Sequence, residues 1–134
     1  MKDYKEVISS ALKELGIPAS LSGYHYARYA IELIIQDIRL INSITKVIYP
    51  KVAKEFNTKP SRVERGIRTA IEAGWYRGNT VFADKLFGYS VNPNNGRPTN
   101  GEFVATVADY IMMQEHSQRK AVTTNEISID EHTA

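Results

Sequence analysis

The stretch that decides the fold runs from Tyr49 to Arg77 and reads YPKVAKEFNTKPSRVERGIRTAIEAGWYR. Pro50 and Pro60 each suit the first turn of a helix, where the N–H that proline lacks would make no intrahelical hydrogen bond. Asn57 lies between them and tolerates the left-handed backbone conformation that a tight turn needs. The stretch therefore predicts a short helix, a tight turn and a longer helix that ends near Arg77.

The longer helix is expected to have one apolar and one polar face, with Thr58 as its N-cap. The apolar positions recur at helical spacing and are Val63, Ile67, Ala70, Ile71 and Gly74. The polar face carries Ser61, Arg65, Arg68, Thr69 and Glu72, with Arg62 and Glu64 on its two flanks. Two helices of this kind are typical of the helix-turn-helix motif, whose second helix enters the major groove of DNA.

Positive charge is concentrated in the same stretch. Seven basic and three acidic residues between Lys51 and Arg77 give a local net charge of +4, against +2 for the whole chain of 134 residues. A surface that binds phosphates needs such a concentration of cations. An ordinary solvated helix face with scattered ion pairs has a similar composition, so charge alone leaves both interpretations open.

The residue types at the start of the longer helix favour sequence-specific reading of DNA. Side chains in this position lie deepest in the groove; arginine pairs with guanine, and glutamate accepts a hydrogen bond from cytosine. A carboxylate beside phosphates is costly unless it reads a base or orients an arginine, so Glu64 argues against a general nucleic-acid binder. The predicted base-reading residues are Arg62, Glu64 and Arg65, and the predicted contacts to the DNA backbone are Lys54, Lys59, Ser61 and Arg68.

The remainder of the chain predicts an all-α domain with about six helices. Helical periodicity marks residues 4–15, 23–40 and 41–48, and Ile38 lies on the apolar face of the second of these segments. A short amphipathic segment follows at 80–91, and Thr99 or Asn100 is expected to cap the last helix. Periodicity ends after His116, which predicts a helix-turn-helix domain at 1–116 and a flexible tail at 117–134.

Composition argues against several classes of function. Cysteine is absent, which excludes disulfides and thiolate chemistry. No apolar run approaches the roughly 20 residues that span a bilayer, and the first residues lack the apolar core of a signal peptide. We therefore expect a cytoplasmic, nucleoid-associated protein without membrane contact. No nucleophile–base pair, paired carboxylates or metal cluster is recognisable, so we expect no enzyme activity, catalytic residue, metal or cofactor.

Five collinear segments resemble one family: ELGIPASLSGYHYARYAI (14–31), SITKVIYPKVAKEFN (43–57), PSRVERGIRTAIEAGW (60–75), LFGYSV (86–91) and RPTNGEFVATVAD (97–109). From about Tyr4 to His116 the chain is similar to the C-terminal DNA-binding effector domain of the stage-zero sporulation response regulator of spore-forming Firmicutes. The resemblance implies a transcription regulator that binds double-stranded DNA. It also implies that Arg62, Glu64 and Arg65 read a short box with a central CG step.

The resemblance further implies protein partners. In the family, the segment that matches residues 78–91 contacts the sigma subunit of RNA polymerase, which here indicates Lys85, Leu86, Phe87 and Tyr89. The preceding residues 81–85 differ from the polar sequence typical of the family, and packing in the core explains Leu86 and Phe87 equally well. A homodimer on tandem DNA sites is also implied.

The family carries a phosphorylatable receiver domain ahead of this effector domain, and this sequence contains no acidic pocket of that kind. The chain is either a piece of a longer regulator or a stand-alone paralogue, and the sequence does not separate the two. The alternative function is an interaction module without a receiver, which would form heterodimers with a full-length regulator and antagonise it. The intact basic face favours DNA binding over this alternative.

Overall fold

The computed structural model describes residues 3–88 and 96–133, with side chains described as far as residue 118. Within these residues the chain forms six α-helices and no strand, which confirms the predicted all-α class. The helices are α1 (Lys5–Glu14), α2 (Ser22–Gln36), α3 (Tyr49–Glu55), α4 (Pro60–Gly74), α5 (Thr80–Phe87) and α6 (Asn100–Thr133).

The connection between α2 and α3 is less regular than the sequence predicts. Asp37 has an extended backbone conformation that ends α2, and its carboxylate accepts a hydrogen bond from the backbone N–H of Arg39 at 3.2 Å. A 3-10 helix (Ile38–Asn42) and a π-helix (Ile44–Ile48) then lead into α3. As a result Ile38, which periodicity predicts to be buried, is 50% exposed.

Helix α2 lies at the centre of the domain and contacts α1, α4 and α6. These helices enclose a continuous apolar core, because each presents aliphatic side chains at helical spacing toward the others. Side chains with almost no exposed surface include Ile8, Leu12, Ile31, Ile34, Val52, Val63, Ile67, Phe103, Val104 and Ile111.

Two glycine contacts hold α4 close to its neighbours. A Cβ atom added to Gly23 of α2 would lie 1.8 Å from the carbonyl oxygen of Gly66 in α4. A Cβ atom added to Gly74, at the other end of α4, would lie 2.2 Å from the carbonyl oxygen of Gly16. Both contacts bring backbone against backbone, so larger side chains at these positions would push α4 away from the core.

Helix α6 begins with a reciprocal cap and is longer than the sequence predicts. The Thr99 hydroxyl accepts from the N–H of Glu102 at 3.2 Å, and the Glu102 carboxylate accepts from the N–H of Thr99 at 3.3 Å. Thr99 is therefore the capping residue of the two that the sequence indicates.

The backbone stays helical through residues 117–133, where the sequence predicts a flexible tail. Residues 118–121 (QRKA) are strong helix formers, which extend an existing helix. The division into domain and tail stays a prediction.

None of the helices in the described residues combines the length and apolar character that crossing a membrane requires. The long helix α6 has apolar residues in its first half, and residues 114–120 (QEHSQRK) are polar.

Candidate nucleic-acid interface

Helices α3 and α4 form the predicted helix-turn-helix, and the turn between them is a Schellman motif. Asn57 has a φ of 53°, the left-handed conformation predicted for it. The N–H of Thr58 donates to the Ala53 carbonyl at 2.8 Å, and the N–H of Asn57 donates to the Lys54 carbonyl at 3.3 Å. These two bonds satisfy the last carbonyls of α3 and set the direction in which the chain enters α4.

The start of α4 confirms one prediction and corrects another. Pro60 lies in the first turn, as predicted, and Pro50 does the same in α3. Thr58, however, is not the N-cap. Lys59 holds that position, and no side chain caps the helix there. The physical reason is Pro60, whose ring disfavours a helical conformation at the preceding residue, so that Lys59 is extended (φ −104°, ψ 148°) and takes the N-cap position.

The two faces of α4 are those that the sequence predicts. Its buried residues are Val63, Ile67, Ala70, Ile71 and Gly74. Arg62, Arg65 and Arg68 are exposed, and Glu64 is half-buried. At about 100° per residue, Arg65 points away from the buried stripe, while Arg62 and Glu64 lie on opposite flanks. The helix ends at Gly74 instead of near Arg77, and residues 75–77 form a turn.

Two ion pairs lie on the Glu64 side of α4. Glu64 pairs with Arg68 one turn later on the same helix, and the Glu72 carboxylate is 3.2 Å from Nη2 of Arg97. Within residues 3–88 and 96–118, neither Arg62 nor Arg65 takes part in an ion pair. The structure therefore brings Glu64 together with Arg68, and leaves the two arginines nearest the start of α4 available to a ligand.

Three of the four predicted backbone contacts lie around the start of α4, and Arg68 lies about two turns further along the helix. Lys54 lies in the last turn of α3, Lys59 occupies the N-cap position of α4, and Ser61 follows in its first turn. All three are exposed, as is Arg68. They lie around the positions predicted to read bases, as the predicted phosphate contacts beside a major groove would require.

Asn100 braces the motif, a role that the sequence does not reveal. Its Nδ2 donates to the Tyr49 hydroxyl at 3.1 Å and to the backbone carbonyl of Glu64 at 2.9 Å. One side chain from the start of α6 thus ties the first turn of α3 to α4. Burial raises the pKa of the Tyr49 hydroxyl, and the Asn100 hydrogen bond acts in the opposite direction with a smaller effect. The partners of Asn100 are 51 and 36 residues away, so no local pattern predicts them.

An open cleft of about 540 Å³ lies beside α4, on the flank that carries Glu64 and Arg68. Arg97 enters it from the loop before α6, outside the basic stretch that the sequence singles out. No group of three or more metal-ligating side chains comes together there or elsewhere in the described residues. The lining consists of Thr45, Tyr49, Glu64, Arg68, Arg97, Pro98, Thr99, Asn100 and Gly101.

The residues predicted to contact a sigma subunit differ in their exposure. Phe87 is 4% exposed and its ring lies against those of Trp75 and Phe103, which favours the packing role at this position. Leu86 is half-buried, and Lys85 is exposed with its Nζ 6.0 Å from the centre of the Tyr110 ring. Tyr89 lies outside the described residues.

The two-helix motif and the basic outer face of its second helix define a helix-turn-helix DNA-binding domain of a transcription regulator. The family model described as "sporulation initiation factor Spo0A C terminal" matches residues 8–111, more than three quarters of the chain. The chain belongs to this family, which confirms the resemblance drawn from the sequence. The family is one of DNA-binding domains that regulate transcription in sporulation, and it is not a family of enzymes.

Proposed function

We propose that the chain is a sequence-specific transcription regulator whose helix α4 reads a short box with a central CG step. The observation that carries the proposal is the arrangement of Arg62 and Arg65: both are exposed near the start of α4, and neither is held by a carboxylate in the described residues. Arginine pairs bidentately with O6 and N7 of guanine, and a CG step presents one guanine on each strand. Two available arginines on one short segment fit such a step.

Glu64 takes part by exchanging its partner. In the structure its carboxylate is held by Arg68, and the two side chains are 38% and 51% exposed. A nearby cytosine N4 amino group can replace Arg68 as the hydrogen-bond donor to this carboxylate. Arg68 is then free to contact a phosphate, as the sequence predicts for it. This exchange explains how a carboxylate near the DNA backbone adds specificity without a net loss of affinity.

The contacts proposed for Lys54, Lys59 and Ser61 carry no sequence information. They surround the start of α4, where the backbone N–H of Ser61 can donate to a phosphate, while those of Arg62 and Val63 donate to the Lys59 carbonyl. Contacts of this type set the register of a protein on the duplex, and base contacts then select the sequence.

Protein partners belong to the same proposal. A homodimer on tandem sites follows from the family resemblance, as does a sigma contact through Lys85, Leu86 and Tyr89. The exposure of Lys85 and the 77% exposure of Val81 support an accessible face on α5. Phe87 is buried in the core beneath this face and so contributes to packing, not to the exposed surface. A nucleoid-associated location follows if the chain binds DNA in the cell.

A fluorescence-anisotropy titration tests the proposal. The purified chain is titrated against a duplex that carries a family-like box and against a scrambled duplex of the same composition, at two salt concentrations. We expect tighter binding to the box by roughly three orders of magnitude or more, and a steep loss of affinity with salt on both duplexes. Equal affinity would instead support a general binder, and no binding to either duplex would support the interaction module.

A further inference from the structure

Arg97 has no role in the interface described so far, yet its position suggests one. It lies in the loop before α6, and its ion pair with Glu72 holds the guanidinium against α4. Arg68 of α4 lines the same cleft. We propose that this cleft is a second DNA contact site, which takes one backbone phosphate between Arg68 and Arg97. The inference rests on the DNA-binding function proposed above and extends it to a part of the chain outside the helix-turn-helix.

The charges of the cleft favour an anion. Its lining contains Arg68 and Arg97 but only one carboxylate, that of Glu64, so the lining has a net charge of +1. Glu72, which holds Arg97, does not line the cleft. Each guanidinium has five N–H donors. Each uses one nitrogen in its ion pair, Nη1 in Arg68 and Nη2 in Arg97.

The start of α6 already holds a carboxylate, which disfavours a second anion there. Its first turn is already closed by the Glu102 carboxylate, which accepts hydrogen bonds from the N–H and hydroxyl of Thr99. The two arginine side chains are the cationic donors in the lining of the cleft. The Arg68 side chain is 51% exposed and the Arg97 side chain is 44% exposed, so a ligand can reach both.

The position of the cleft fits the DNA backbone and not the bases. It lies along one flank of α4 and also touches Tyr49 at the start of α3 and Thr45 in the π-helix before it. In helix-turn-helix complexes the first helix of the motif crosses the backbone while the second enters the groove. A DNA strand that borders the major groove on this flank of α4 would pass the cleft. A contact of this kind adds affinity on every sequence and leaves the preference for the box unchanged.

The test compares Arg97→Ala with the parent chain by anisotropy titration on box and scrambled duplexes between 50 and 200 mM salt. Loss of one phosphate contact reduces the slope of log affinity against log salt by about 0.9. Over this fourfold salt range the affinity of Arg97→Ala should therefore fall about 3.5-fold less than that of the parent. The preference for the box over the scrambled duplex should not change. Arg97→Lys should keep the parent slope, because the cation is retained.

Two further variants separate a phosphate contact from a general charge effect. Arg39→Ala removes an exposed arginine that is also paired with a carboxylate but does not line the cleft, and it should keep the parent slope. Glu72→Gln combined with Arg97→Ala should keep the reduced slope. If this double variant instead recovers the parent slope, Arg97 only shields Glu72 and the proposal is overturned. An unchanged slope in Arg97→Ala overturns it as well.

The outcome is separable from that of the proposed function. If the parent chain binds both duplexes equally, sequence-specific reading fails, while the slope difference on either duplex still supports the Arg97 site. If the parent prefers the box and Arg97→Ala has the parent slope, the site fails and the proposed function stands. Absence of binding to any DNA overturns both.

Discussion

Replacement of Glu64 by alanine tests whether α4 reads bases or only attracts phosphates. The structural cost of this change is small. The Glu64–Arg68 pair is partly exposed at both side chains, so its loss costs about 0.3–0.5 kcal/mol of folding free energy. Alanine offsets part of that cost through its higher helix propensity. The hydrogen bond from Asn100 goes to the backbone carbonyl of residue 64, which alanine retains. We therefore expect a melting temperature within a few degrees of the parent.

The effect on binding should differ between the two duplexes. On the box, a cytosine amino group loses its acceptor, and affinity should fall by about 1–3 kcal/mol, roughly 5- to 160-fold. On scrambled DNA the variant should bind as well as the parent or better. A negative charge is removed, and Arg68 is released from its ion pair to contact a phosphate. The ratio of the two affinities should therefore collapse.

Anisotropy titrations on both duplexes at one fixed salt concentration measure this ratio. Glu72→Ala is the matched control, because Glu72 is also a partly exposed carboxylate on α4 that is paired with an arginine. It lies two turns further from the start of the helix than Glu64, so its loss should preserve the ratio. A uniform gain in affinity of Glu64→Ala on both duplexes would refute the base-reading role and leave a general binder as the better account.

Three further changes test other parts of the molecule. Arg65→Ala should weaken binding to the box by about 1–3 kcal/mol with a much smaller effect on scrambled DNA; equal losses on both duplexes would show a phosphate contact only. Asn100→Ala removes two hydrogen bonds and should lower the free energy of unfolding by about 1–3 kcal/mol in thermal or denaturant unfolding, whereas an unchanged stability would show that the brace contributes nothing. Deletion of residues 118–134 should leave melting temperature and DNA affinity nearly unchanged, since Ile111 is the last buried residue in the described side chains; a clear drop on truncation would show that the segment docks on the domain.

The helix-turn-helix was predictable from the sequence because its determinants are local. Pro50 and Pro60 mark helix starts through their fixed backbone angle, and Asn57 marks the turn through its tolerance of positive φ. The faces of α4 follow from the helical repeat, which places apolar residues three and four positions apart on one side. Such signals act within a few residues, so the sequence by itself determined the all-α class and the orientation of Arg65 away from the core.

Other features depended on residues that are distant in the chain. The periodicity that predicted Ile38 to be buried had no information about Asp37 ending α2 one residue earlier. In the sequence, several arginines are near enough to Glu64 to pair with it. In the structure, Glu64 lies on the same flank of α4 as Arg68 and pairs with that arginine. Asn100 and Arg97 reach α4 only because α6 packs against the core near it. Their hydrogen bonds and ion pairs join segments 25 or more residues apart, and only the tertiary structure, which folds those segments together, decided them.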